Sequence, residues 1–435
     1  MNGISIRNLL SGFALALFLP SLLPQEMTAQ NTDDVAVRER IVKLTGQIRY
    51  RYEADGRRVA EDGKESFSDV HLLRTRAGIF LSPSDDVQAS VVIQDSRAFG
   101  EEANTLEGSA DALDLHEAFL LLPDFLESGL DVQVGRQELV YANERLVGGV
   151  GWSNTGRSFD AIRLRRPGAK FSVDLFASRL GSSTTIDSLN HLSDVSSTNF
   201  YGLWSTLDFT KEHKGDFFLL LDNDTREIAT GIDSGMSLRN RITAGTFLRG
   251  KISSISYEGE FAWQGGSGRG GSDTLSSYAG ILLGAKLLYA TNTFRIGGLY
   301  TMLSGDDNPT DDQIGTFNTL FATNHKFYGY MDYFPGSSGS AGLQDIGLVS
   351  WLKVSDDVSV ALDGHIFTTA VDVAGENALG KEIDATVNYA YHTDAQPKQV
   401  TFSLGASLFL ADDLMKGVVG GETGWWGYLM MTAGL

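Results

Sequence analysis

Apolar and polar residues alternate with a period of two along most of this chain. Phe402, Leu404, Ala406 and Leu408 interleave with Thr401, Ser403, Gly405 and Ser407, and Ile383, Ala385, Val387, Tyr389 and Tyr391 interleave with Glu382, Asp384, Thr386 and Asn388. The same rhythm runs through Phe171, Val173, Leu175 and Ala177, and near the start through Leu44, Gly46, Ile48, Tyr50 and Tyr52. Side chains of a strand point alternately to its two faces, so these segments predict strands with one apolar and one wet face. About eighteen can be placed, from 41–52 to 424–435, including a single strand over 275–289. The connections sort by length. Tight turns such as Pro167-Gly168, Gly250-Lys251 and Thr291-Asn292 alternate with longer loops such as 98–110, 140–156 and 305–341. A soluble sandwich has no reason to segregate loop length by end. A transmembrane antiparallel β-barrel does, with short periplasmic turns and longer external loops.

Aromatic residues near the segment ends, Tyr50, Tyr52, Tyr289, Tyr389, Tyr391, Trp425, Trp426 and Tyr428, suit interfacial girdles. Forty-nine glycines and only 8 prolines fit many twisted strands, and the lack of cysteine excludes disulfides, thiolate metal sites and thiol catalysis. Arg7, the apolar run 9–23 and Thr28-Ala29 predict a signal peptide over residues 1–29. A short periplasmic segment, 30–40, would follow, and then the barrel, 41–435. Export would place that barrel in the bacterial outer membrane, surrounded by its lipid.

Charge changes the picture twice. The net charge of −20 makes nucleic acid an unsuitable partner. Yet if the apolar face meets lipid, parity turns Arg49, Arg51, Arg74, Arg76, Arg163, Arg165, Arg239, Arg241, Lys286 and Arg295 into the lumen, with Glu258, Glu260, Asp363, Glu382 and Asp384 on other strands. Arginines at i and i+2 stack along one wall, where they can pass an anion from site to site or satisfy facing carboxylates. Many other carboxylates fall in predicted loops, so the whole-chain charge need not describe the pore.

Three stretches then stand out: Gly135-Arg136-Gln137-Glu138-Leu139-Val140-Tyr141, Arg145-Leu146-Val147-Gly148, and 152–161 from Trp152 through Arg157 and Phe159 to Ala161. With Ser304-Gly305-Asp306-Asp307-Asn308-Pro309, Thr316-Phe317-Asn318 and 323–332, they resemble the alginate export family of outer-membrane barrels. Ala142-Asn143 and Ala322 depart from its pattern, which has Gly-Asp and Pro there. The resemblance implies an eighteen-stranded monomeric barrel with an arginine-rich lumen that exports an anionic polysaccharide, served by periplasmic secretion proteins. Arg136, Arg145 and Arg157 would join the lumen set as carboxylate forks. Arg136 shares parity with Val132 and Val134, so only a bulge or a place above the membrane would bring it to the substrate. Trp152 and Phe159 are candidate sugar platforms or loop braces. An uptake porin for small anions or sugars is the alternative.

No nucleophile elbow, phosphate loop or metal-spaced histidine pair occurs, and the acidic run around Asp306 lacks the ligand spacing of a calcium loop. The expectation is a pore without catalytic residues, metal or cofactor.

Overall fold

The structure is a computed structural model that describes residues 41–57, 67–101, 113–186, 192–225, 239–269, 275–308, 310–334, 339–392 and 399–434. The expected signal peptide and the segment 30–40 lie outside the described residues.

Twenty strands follow one another. The first ten are β1 (Ile41–Gly56), β2 (Ser68–Ser84), β3 (Val87–Ala98), β4 (Leu113–Leu122), β5 (Asp131–Gln137), β6 (Phe159–Arg166), β7 (Phe171–Ile186), β8 (Leu192–Asp208), β9 (His213–Asp224) and β10 (Arg239–Ile252). Then come β11 (Ile255–Arg269), β12 (Leu275–Tyr278), β13 (Ile281–Ala290), β14 (Phe294–Leu303), β15 (Gln313–Ile314), β16 (Leu343–Lys353), β17 (Val358–Val373), β18 (Glu376–His392), β19 (Gln399–Ala411) and β20 (Thr423–Gly434). Two of them, β12 and β15, are short and pair with each other in parallel. Around them β11 pairs directly with β13 and β14 with β16. That leaves eighteen antiparallel staves, and β20 closes onto β1 with Gly434 opposite Gln47. A closed sheet has no free edge, as a span through hydrocarbon requires.

The expected continuous strand over 275–289 is broken. At Gly280 a side chain would run into the backbone of Phe317, because a long loop passes against the wall there. Gln264 on β11 takes up the interrupted pairing, donating its backbone N–H to the Gly280 carbonyl at 2.8 Å.

The outward face is apolar, with Leu44, Ile48, Ile79, Leu175, Leu219, Leu287, Leu348 and Leu404 all exposed. Trp263, Tyr289, Tyr389, Tyr391 and Trp425 are exposed among them. Trp426 and Tyr428 are not girdle residues. Trp426 follows Trp425 on one strand, so strict alternation turns it, and Tyr428 with it, into the lumen, where both are buried.

Two segments from the long-loop end fold inward instead of outward: residues 138–158 between β5 and β6, and, between β14 and β16, the described residues 304–308, 310–334 and 339–342. Leu139, Leu146, Val147, Phe317, Tyr328, Met331 and Phe334 from these segments pack against inward-facing wall residues such as Phe176, Phe200, Trp204, Phe218, Phe367 and Phe409. Tyr141 stacks on Trp204 at 4.8 Å, and Trp204 on Phe218 at 4.6 Å. The core therefore lies inside the barrel, at about 1.5–3 kcal/mol for each large apolar side chain buried.

Candidate transport pathway

The two inward segments join across the lumen. Gly148 donates its N–H to the Phe321 carbonyl and Phe321 to that of Leu146, each at 2.9 Å, with Val147 and Phe321 bridged in parallel. Thr323 donates to the Glu144 carbonyl, also at 2.9 Å. Arg157 ties the same junction, donating to the carbonyls of Phe321, of Ala322 at 3.0 Å and of Gly148 at 3.3 Å. Burial pushes its guanidinium below the ordinary value.

This junction is anchored on distant staves. On one side Arg49 holds the carbonyls of Gly151 (2.7 Å) and Ser153 (2.8 Å), Arg51 that of Trp152 (2.5 Å), and Arg74 that of Ser153 (3.0 Å). On the far side, Asn143 and Arg145 reach Glu260 of β11 at 2.9 and 2.8 Å, and Arg145 also reaches Thr301 of β14. The second segment is held by Glu382 of β18, which accepts the Met331 N–H at 2.8 Å. The result is a partition spanning the interior from β1–β3 to β11–β14 and β18.

Several predicted lumen residues are thus structural clamps. Arg49, Arg51 and Arg74 do face inward, but each is buried and engaged by backbone carbonyls. A peptide carbonyl accepts from an arginine as a carboxylate does, and nothing in strand parity distinguishes the two. Other cations are neutralised along the wall. Arg163 and Arg165 meet Asp174, Arg239 and Arg241 meet Asp222 at 2.9 and 2.6 Å, Arg249 meets Asp216, and Arg76 stands 3.7 Å from Glu138.

Arg136 goes elsewhere. It lies on the outward parity of Val134, opposite Asp160 on β6, and bonds that exposed carboxylate at 3.2 Å. No bulge turns it into the lumen, so it does not line the interior. Trp152 and Phe159 are in place as braces. Trp152 lies between the Arg51 guanidinium, 4.0 Å from its ring centre, and the His325 ring at 4.2 Å. Phe159 is buried edge-on against Phe321. Neither presents a free face to a sugar.

An open space remains beside the partition, a cavity of about 540 Å³ against the inner wall of β10–β17. Lys286 and Arg295 line it, and no carboxylate stands within ion-pair distance of either among the described residues. Beside them on the adjoining staves is an acidic sector, Asp345, Asp363, Glu382 and Asp384 on β16–β18, in which Asp345 holds His365 at 2.9 Å. The interior is polarised, with clamped arginines on β1 and β2 and carboxylates on β16–β18. Among the described residues no group of three metal-ligating side chains gathers.

Sequence and fold comparisons agree with this layout. The alginate export family matches residues 40–370. The chain belongs to the alginate export family. None of the curated proteins matches it by sequence. Among solved structures, Pseudomonas aeruginosa OpdO is similar at a TM-score of 0.60 and 13% identity, over 91% of this chain and 97% of that one. A BenF-like porin from Pseudomonas fluorescens Pf-5 gives 0.60 and 10%, over 91% and 98%. Acinetobacter baumannii OccAB1 gives 0.59 and 12%, over 90% and 96%. At such identities the likeness concerns the fold. Together with the family it makes this alginate export family member a barrel of the bacterial outer membrane and a transport channel.

The neutralised pairs carry a prediction. Asp222 is buried and balances two arginines. Asp222→Asn keeps the shape and removes the charge, so Arg239 and Arg241 gain an uncompensated field in the lumen. The anion-to-cation permeability ratio is expected to rise, read as a shifted reversal potential under a potassium chloride gradient. An unchanged ratio would place the Asp222 cluster off the ion path.

Proposed function

We propose that this channel carries an anionic polysaccharide of the alginate-like polyuronate class outward across the outer membrane. The observation that carries the reading is the spread of inward cations along the wall, from Arg295 near the short turns, through Lys286 and Arg249, to Arg239 and Arg241 near the long loops, in a chain of the alginate export family. The arginines divide into sets with different work. Arg49, Arg51, Arg74, Arg145 and Arg157 shape the passage by holding the partition; Arg76, Arg163, Arg165, Arg239 and Arg241 line the wall beside carboxylates that a polyanion would displace, and Arg295 stands open in the cavity. Polyuronates repeat a carboxylate along their length, and a series of weak, exchangeable arginine contacts lets such a chain advance without being trapped. Export would call for periplasmic secretion proteins that deliver the chain. Anion selectivity, despite the net charge of −20, would come from Lys286 and Arg295, the wall cations without an ion-pair partner among the described residues, because Arg163, Arg165, Arg239, Arg241 and Arg249 are balanced by wall carboxylates and loop charges act only over about 8 Å at physiological salt.

The partition favours a second reading, uptake of small anions or sugars, since a crossed lumen suits small solutes. Block of ion current in planar bilayers separates the two. Acidic oligosaccharides are expected to block at lower concentration than neutral ones of equal length. Equal block by both would favour the uptake porin.

A further inference from the structure

The cavity beside the partition contains a site that differs in kind from the clamps. Arg295 is the second residue of β14, close to the short turn, and its direct partner across the sheet is Trp351. Both face inward, since Ile296 and Leu352 beside them are exposed on the outer face. The Arg295 guanidinium carbon lies 4.7 Å from the centre of the Trp351 indole. A guanidinium held against an aromatic face keeps its N–H edge free, and that edge is the part that grips a carboxylate bidentately. No carboxylate or carbonyl of the described residues takes it.

The next cation lies further in. Lys286 is paired with Leu299, four positions along β14 from Arg295, which is about 13 Å of strand. Across the sheet, Arg249 and Lys286 flank Glu258. Arg145, bound to Glu260, closes the inner end of the same cavity at the partition. The steps run in one direction, from the turn end toward the middle of the lumen, and the most available cation stands first.

We propose that Arg295 stacked on Trp351 is a loading subsite for a carboxylate-bearing sugar, with Lys286 as the next step, so that an acidic glycan is recognised from the periplasmic side before it reaches the partition. The subsite rests on the reading of the channel as a conduit for acidic glycans. Arg295 supplies the paired donors for the carboxylate. Trp351 fixes the plane of the guanidinium and adds apolar surface beside it for the sugar ring. Lys286 offers a point charge that receives the following carboxylate without fixing its orientation.

Binding of hexagalacturonate and of maltohexaose to the detergent-solubilised full chain tests the subsite, together with current block from each side of a bilayer with oriented channels. Wild type is expected to bind hexagalacturonate in preference to maltohexaose and to be blocked at lower concentration from the turn side. Arg295→Gln and Trp351→Leu are each expected to weaken hexagalacturonate binding about tenfold, equivalent to about 1.4 kcal/mol, and to abolish the side difference. Arg295→Lys is expected to restore part of the affinity. Heat-dependent gel mobility establishes that each variant is a closed barrel. Preferential binding of hexagalacturonate that survives Arg295→Gln unchanged would overturn the subsite and leave the acidic-glycan reading standing. Equal binding of both sugars by wild type, or none of either, would overturn both.

Discussion

Replacing Arg157 by alanine is expected to raise single-channel conductance severalfold and to make the current noisy. Its guanidinium holds three carbonyls, on Gly148, Phe321 and Ala322, at the point where the two inward segments meet. Without it these buried acceptors lose a charged donor, at about 1–3 kcal/mol each where water cannot replace it. The remaining ties at the junction are the backbone bonds linking residues 144–148 to 321–323, the bonds of the Thr323 hydroxyl to Glu144 and Val150, and the reach of Lys326 to Glu144 and of Arg145 to Tyr328. The wall itself is untouched, because the Arg157 guanidinium bonds the two inward segments and not the staves. Arg157→Lys keeps the charge but not the fork, so an intermediate conductance is expected. The measurement is conductance in planar bilayers beside the temperature at which gel mobility changes. A lower transition temperature with unchanged conductance would mean that the partition is not the barrier to flow.

The second large effect is expected at Gly329. Its φ of +80° lies in the left-handed region, and a Cβ built there runs into the Glu382 carboxylate that holds Met331. Gly329→Val carries both penalties and is expected to cost on the order of 2–4 kcal/mol, lowering the heat-modification temperature and releasing the second segment from the wall. The two causes separate in a double-mutant cycle. If the collision dominates, Glu382→Ala recovers much of the loss in Gly329→Ala; if the backbone conformation dominates, the two losses add. Gly329→Val with wild-type stability and conductance would show that this anchor bears no load.

Much of the fold was legible because it depends on local pattern. A strand between lipid and lumen writes its faces into the chain as alternation, and the separation of turn and loop lengths marks the two ends. Parity also gave the inward orientation of the arginines on β1, β2, β6, β10 and β14, and of Glu260, Glu382 and Asp384. What parity could not give is the partner. Arg49 meets Gly151 across 102 positions and Arg157 meets Ala322 across 165, and nothing local marks a peptide carbonyl as the acceptor. For the same reason Trp152 and Phe159 read equally as platforms or braces until their neighbours are placed. Nothing local marks Gly280 or Gly329 either, although each is required where a remote segment comes close. Trp351 was within reach, since its inward parity beside Arg295 follows from pairing β14 with β16, but those strands are separated by the long segment 304–342.

The seam between β1 and β20 has a consequence for how the chain acquires its shape. Gln47 and Gly434 are neighbours in the closed sheet but nearly the whole polypeptide apart. Chain entropy penalises so distant a pairing only logarithmically, so the final state loses little by it. The rate is another matter, because contacts of large sequence separation form late. Until the seam zips, the sheet is a ribbon with two bare edges, each able to recruit a strand from another molecule. The same hydrogen bonds that make the finished cylinder edgeless therefore make its last assembly step the one most exposed to aggregation.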